Sequence, residues 1–249
     1  MHRLTNPLRC LTGTALAAGA LSLGSACLNG CTTVAGSSPA TLVRVIDASK
    51  NAPAMDAYVA TVPIALNFVS PSVSNYAFLG PGAATVNLDP HNSKTPLKQL
   101  SGTFAAASQY SIYVTDQGTT YNAALLTDQS SAAPSGDVSF RFLQQANVTG
   151  AVDVYLIPNG STIADAKPLL AAVAPGTVTP YINVTADTYV IAVAPAGTAV
   201  TTTTTTTTSP IYMSAATQFS SGQVSTVLIL DEQLLNSPPV TILLANDAN

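Results

Sequence analysis

Beyond residue 40 the chain is written in short runs in which apolar and polar residues alternate. Val43 and Val45 flank Arg44, and Met55, Ala57 and Val59 enclose Asp56 and Tyr58. Residues two apart share a face of an extended strand, so each run offers an apolar side to a core and a polar side away from it. The runs are rich in Val, Ile, Thr and Tyr, and Gly, Pro, Asn and Asp stand between them, as expected of strands joined by turns. No stretch after residue 31 carries helical periodicity over eleven or more residues; Ile163 to Val173 comes nearest. The pattern predicts an all-β chain of short strands, folded as antiparallel β-sandwiches of seven or eight strands each.

The pattern is written twice. VRVIDASKNAPAMDAYV, starting at Val43, aligns without a gap on FRFLQQANVTGAVDVYL, starting at Phe140. Arg44 then falls on Arg141, Asp56 on Asp153 and Tyr58 on Tyr155, with Val43 and Val45 on Phe140 and Phe142. Further along, Tyr76 matches Tyr181, Phe104 matches Phe219, and the run ending in Asp116 matches the run ending in Asp231. The second copy is the longer, and one of its insertions carries the uninterrupted threonines Thr201–Thr208, which have high β-propensity and no charge. The expected organisation is two tandem sandwiches, residues 41–132 and 137–249, joined through the Ser-, Ala- and Pro-rich linker SSAAPSG at 130–136.

The first thirty residues have a different character. Arg3 and Arg9 precede an apolar, small-residue stretch from Leu11 to Leu23, and a cysteine-containing zone follows, GSACLNGC. This is the layout of an export signal. All three cysteines, Cys10, Cys27 and Cys31, lie in this part, which excludes a disulfide framework for the rest of the chain. Leu28-Asn29-Gly30-Cys31 resembles the site at which bacterial lipoproteins are cleaved and lipidated. Cys31 is the expected acylated residue, Cys27 the second choice, and 31–40 a tether. The expected location is a bacterial outer membrane or periplasm, through a lipid anchor, or secretion if no lipid is added.

Composition narrows the partners. Only 8% of the 249 residues are charged, and twelve acids against eight bases give a net charge of −4. Two of those bases, Arg3 and Arg9, belong to the export signal. Such a surface has no basic footprint for nucleic acid.

The stretch from Arg44 to Val59, with its Ala48-Ser49, Ala52-Pro53 and Met55-Asp56-Ala57-Tyr58, resembles the opening of a bacterial and archaeal family, the domain of unknown function 4397. Ala151-Val152-Asp153-Val154-Tyr155 repeats the sharpest part of it. Asp47 and Lys50 depart from the family pattern, which has His and Pro there. The resemblance implies immunoglobulin-like sandwiches on exported, often lipid-anchored proteins, and it implies no activity.

Candidate chemistry is sparse. His91 is the one histidine beyond the export signal, too few for a zinc site, and no Asp-x-Asp-x-Asp-Gly loop offers calcium ligands. Neither a metal nor another cofactor is expected. Asp231 and Glu232 are neighbours on a strand end and would point to opposite faces, so Asp231, like Asp116, reads as a turn former rather than half of a catalytic pair. The polar set present in both copies is Arg44, Asp56 and Tyr58 with Arg141, Asp153 and Tyr155. It reads either as a recognition patch on each sheet face or, preferably, as a cross-strand ion pair shielded by tyrosine. The function expected is a non-enzymatic binding, adhesion or spacer module facing an envelope protein or glycan. The alternatives are an Asp-dependent envelope glycan hydrolase and an assembly partner that lends a sheet edge.

Overall fold

The alternating runs are strands. The computed structural model describes residues 39–117, 120–198, 211–232 and 239–247, all within one compact unit, Ser37–Asn249. The first copy supplies β1 (Thr41–Asp47), β2 (Met55–Val59), β3 (Val62–Phe68), β4 (Ser72–Val73), β5 (Ala77–Leu79), β6 (Gly82–Pro90), β7 (Lys98–Phe104), β8 (Gln109–Gln117) and β9 (Thr120–Asp128). The second supplies β10 (Asp137–Gln145), β11 (Val152–Pro158), β12 (Leu170–Val173), β13 (Ile182–Thr185), β14 (Thr188–Pro195), β15 (Tyr212–Met213), β16 (Thr217–Gln218), β17 (Val224–Asp231) and β18 (Val240–Asn246). The stretch Ile163 to Val173 holds only a 3-10 turn, Ile163–Asp165, before β12 begins. Among the described residues no helix is long and apolar enough to cross a membrane.

Each copy builds two sheets from its own strands. In the first copy β1 lies between β8 on one side and the short β4 and β5 on the other, with β9 beyond β8; the facing sheet runs β3-β2-β6-β7. In the second, β13-β10-β17-β18 faces β12-β11-β14-β15, with β16 also on β14. Val43 and Val45 of β1 meet Met55, Ala57 and Val59 of β2 in the first core. Phe140 and Phe142 of β10 meet Val152 and Val154 of β11 in the second, so the faces assigned from alternation are the ones buried. Aromatic edges key both cores: Phe104 on Tyr110 at 5.4 Å and Phe140 on Phe219 at 4.8 Å, both T-shaped.

Two features depart from a purely antiparallel sandwich. The central pairs β1/β8 and β10/β17 run parallel, from Leu42↔Gln109 to Asp47↔Val114 and from Ser139↔Val224 to Gln145↔Leu230. A parallel pair needs a long crossover, and here the connection passes through the whole facing sheet. Period-two alternation reads the same in either direction, so it is silent about strand sense. In addition, these central strands are buried on both faces. Ile46, Tyr113, Leu143, Leu228 and Leu230, turned away from the two cores, form a third apolar cluster that joins the β1 sheet to the β10 sheet. The four sheets therefore stack as layers, with the two copies back to back.

Candidate functional site

The polar set repeated in sequence does not assemble as a surface patch. Cys27 and Cys31 lie outside the described residues, as do Thr201–Thr208. Arg44 and Arg141 are 2% and 3% exposed, and neither meets the Asp of its own motif. Both lie between the back-to-back sheets.

There they form a reciprocal lock. Arg44 of β1 donates from Nη2 to Asp247 Oδ1 and from Nη1 to the Asn246 carbonyl (2.7 Å), both in the second copy. Arg141 of β10 donates from Nη2 to Asp128 Oδ1 (2.7 Å) and from Nη1 to the Thr127 carbonyl (3.3 Å), both in the first. Each aspartate is held by its own copy through its other oxygen. Asp128 Oδ2 accepts from Tyr76 (2.7 Å) and Ser111 (2.6 Å); Asp247 Oδ2 accepts from Tyr181 (2.7 Å) and Thr226 (2.5 Å). The guanidinium carbons lie 4.7 and 4.8 Å from the ring centres of Tyr76 and Tyr181, within cation–π range. Burial acts to lower the Arg44 pKa, but Asp247, Tyr76 and Asp128 outweigh it and the net direction is up. Burial, then the neighbouring carboxylate, pushes both tyrosine phenols up. The Nε, Nη1 and Nη2 atoms of Arg44 each donate within the lock, to Ser111, the Asn246 carbonyl and Asp247.

Asp56 and Asp153 have a different task. Asp56 Oδ1 accepts from the backbone N–H of Asn67 (2.7 Å), and Asp153 Oδ1 from that of Ala172 (2.7 Å). Asn67 and Ala172 have φ of 50° and 51°, and each adjoins a shift of register between β2 and β3 or β11 and β12. A carboxylate on the neighbouring strand satisfies the amide that each bulge frees. Asp56 Oδ1 also meets His91 Nδ1 at 2.9 Å, so this histidine serves the same turn. Tyr58 is half-buried on the outer face of its sheet. Tyr155, 5% exposed, is covered by Ile163 and packs with Ile157, Ala192 and Ala194.

Asp116 and Asp231 are turn formers as expected. Asp116 accepts from the N–H groups of Lys50 (2.8 Å) and Asn51 (2.7 Å), and Asp231 from those of Val148 (2.8 Å) and Thr149 (3.0 Å). Both line a cleft of about 170 Å³ at one end of the copy-to-copy interface. Among the described residues, no three His, Cys, Asp or Glu side chains converge to hold a metal ion.

One buried acid stands apart. Asp47 is fully buried; its Oδ1 accepts from the Ser49 N–H and hydroxyl, and its Oδ2 has no hydrogen-bond partner among the described residues. Burial raises its pKa, the Ser49 hydrogen bonds offset part of that, and Asp116 adds to it. The second copy has neutral Gln144 at this place, whose Oε1 accepts from Ala146 (2.5 Å) and whose amide donates to Gly150 (2.7 Å). A carboxyl whose folded pKa lies above its unfolded value holds its proton more tightly in the native state. Native stability therefore falls as pH rises from the ordinary carboxylate range up to that raised value. Asp47→Asn is expected to remove that fall and to stabilise the chain at neutral pH by about 1–2 kcal/mol. Urea midpoints across the pH range measure it; an unchanged or lower midpoint at neutral pH would refute it.

The fold and the lock define a class: an all-β protein of four sheets in which two like halves are tied by exchanged charges. Residues 41–155 match the family described as Domain of unknown function (DUF4397). One copy is matched; it covers β1 to β9, continues through β10 and ends on Tyr155 in β11. No curated protein matches the chain. Among solved structures it is similar to the Bacillus anthracis TIE protein at 4% identity and a TM-score of 0.25, over 84% of this chain and 44% of that one. The chain thus spans less than half the length of that protein.

Proposed function

We propose that the chain is an exported envelope protein, anchored through a lipid on Cys31, in which two immunoglobulin-like copies of the matched domain act as one stiff binding, adhesion or spacer module. The observation that carries this reading is the reciprocal lock. Arg44 and Arg141 are the cations a recognition patch would use, and both are consumed in fixing one copy against the other. A body stiffened in this way holds an outer surface at a set distance and angle from its anchor.

The hydrolase alternative loses support from the same geometry. Asp56, Asp116, Asp128, Asp153, Asp231 and Asp247 each accept hydrogen bonds from backbone amides or from buried Arg, Tyr, Ser and Thr side chains. A general acid or nucleophile has to be free to reach a substrate. The partner proposed is an envelope protein or glycan, met through neutral surfaces.

Fractionation tests the anchor. Wild-type protein is expected in the membrane fraction, and Cys31→Ala in the soluble exported fraction; retention of Cys31→Ala on membranes refutes lipidation at that residue. Incubation of the purified chain with cell-wall sacculi tests the module. The sacculi are expected to remain intact, and release of soluble fragments would replace the binding reading with the hydrolase.

A further inference from the structure

Most sheet margins in this fold are defended against pairing with another chain. β4, β5, β13, β15 and β16 are short, β3 and β12 carry shifts of register, and β7 begins with Lys98. These are the usual devices that blunt an edge. β9 and β18 have none of them. β18 pairs with β17 without a shift from Ser225↔Asn246 to Asp231↔Val240, and its sequence, VTILLAN, is uncharged.

The amide of Asp247 donates to the Val224 carbonyl of the β17 side at 2.9 Å. Alternate residues of β18 therefore turn their backbone groups inward, and Ile242, Leu244 and Asn246 turn theirs outward. The Asn246 carbonyl takes Arg44. Among the described residues nothing pairs with the backbone of Ile242 or Leu244 on that side. Beside them lies an open groove of about 630 Å³ that includes Leu42, Phe78 and Leu244, with Phe78 77% and Leu244 40% exposed. The matching place on the other flank is different. Ser139 and Asn183 stand where Leu42 and Phe78 do and bond to each other, and Leu125, the counterpart of Leu244, packs on the first core. Among the described residues the apolar groove is thus built on the β18 flank alone.

We infer that β18 is a dimerisation edge, on which a second copy of this chain pairs its own β18 antiparallel across a two-fold axis. The two four-stranded β10 sheets become one of eight strands, and Phe78 and Leu244 of both molecules are covered. In antiparallel self-pairing a residue near the two-fold axis faces its own symmetry copy, so a charge there would meet its like. β18 has no charge, and the one cation in the groove, Arg44, is neutralised by Asp247. The groove is also continuous with the interface between the copies, since Arg44 and Val73 line both.

Sedimentation equilibrium of the full chain in density-matched detergent, with micelles in excess, tests this. A concentration-dependent dimer is expected. Leu244→Pro removes an outward N–H and leaves the β17 ladder intact, and Leu244→Lys sets two cations near the axis. Each should weaken the dimer at least ~10-fold with an unchanged thermal transition. Ala124→Lys on β9 should leave it intact. Should the β18 variants fail to fold, Phe78→Ser, an exposed change outside the core, is expected to weaken it likewise. A chain monomeric at every concentration overturns the inference, as does a dimer that survives the folded variants. A monomer whose β18 is occupied by a strand of another protein overturns it too.

Discussion

Asp128→Ala is expected to destabilise the chain by about 3–5 kcal/mol, the range for removing one partner of a buried ion pair. At about 2–4 °C per kcal/mol for a chain of this size, thermal unfolding should move down by roughly 6–20 °C. The cause is what remains. Arg141, 3% exposed, would lose its carboxylate, and the hydroxyls of Tyr76 and Ser111 would lose their acceptor. The attraction itself is not the main part of that figure, because burying both charges consumes most of what their pairing returns. The double change Asp128→Leu with Arg141→Met should therefore cost much less than the single one. Urea or thermal unfolding of the two variants and the unaltered chain measures the difference. A loss below 1 kcal/mol for Asp128→Ala would show that water reaches the lock and that the copies are not held by it.

Val154→Asp is expected to abolish cooperative folding. Val154 has no exposure, lies in the second core beside Val152 and Phe142, and pairs across to Val193 of β14. A carboxylate there would be unpaired in an apolar interior, which costs more than the whole stability of an ordinary domain unless it is protonated. Tyr155→Ala, one residue on and on the opposite face, should fold with a loss of about 2–4 kcal/mol, because the side chain leaves a small satellite cluster and not the core. Circular dichroism melts of both variants separate them. A folded Val154→Asp protein beside an unfolded Tyr155→Ala protein would invert the strand phase on which both cores rest.

The inward faces of β1, β2, β10 and β11 were legible because a strand half-buried in its own sandwich leaves a period-two trace. The interface between the copies was not, and its trace is of another kind. Strands buried on both faces read as unbroken apolar runs, and Val227-Leu228-Ile229-Leu230 is such a run, as is Ile112-Tyr113-Val114. These runs signalled a second covered face on β8 and β17. The polar set failed for a geometric reason. Equal spacing in two copies puts Arg44 and Arg141 at equivalent places and says nothing about what stands next to either. Arg44 and Asp56 share a motif but occupy different sheets. The true partners, Asp128 and Asp247, sit at the ends of the strands that close each copy, far along the chain. Tyr76 and Tyr181 were matched in sequence, and only the fold shows them over the guanidinium groups.

The exchange of charges has a consequence for how the molecule is made. Arg44 is set on the first strand, yet the carboxylate that neutralises it is Asp247, more than two hundred residues later. A chain without that aspartate leaves Arg44 only Asp128, 3.7 Å from its Nε, as a carboxylate neighbour. β18 and the aspartate after it must therefore be in place before the cation on β1 has its full set of partners.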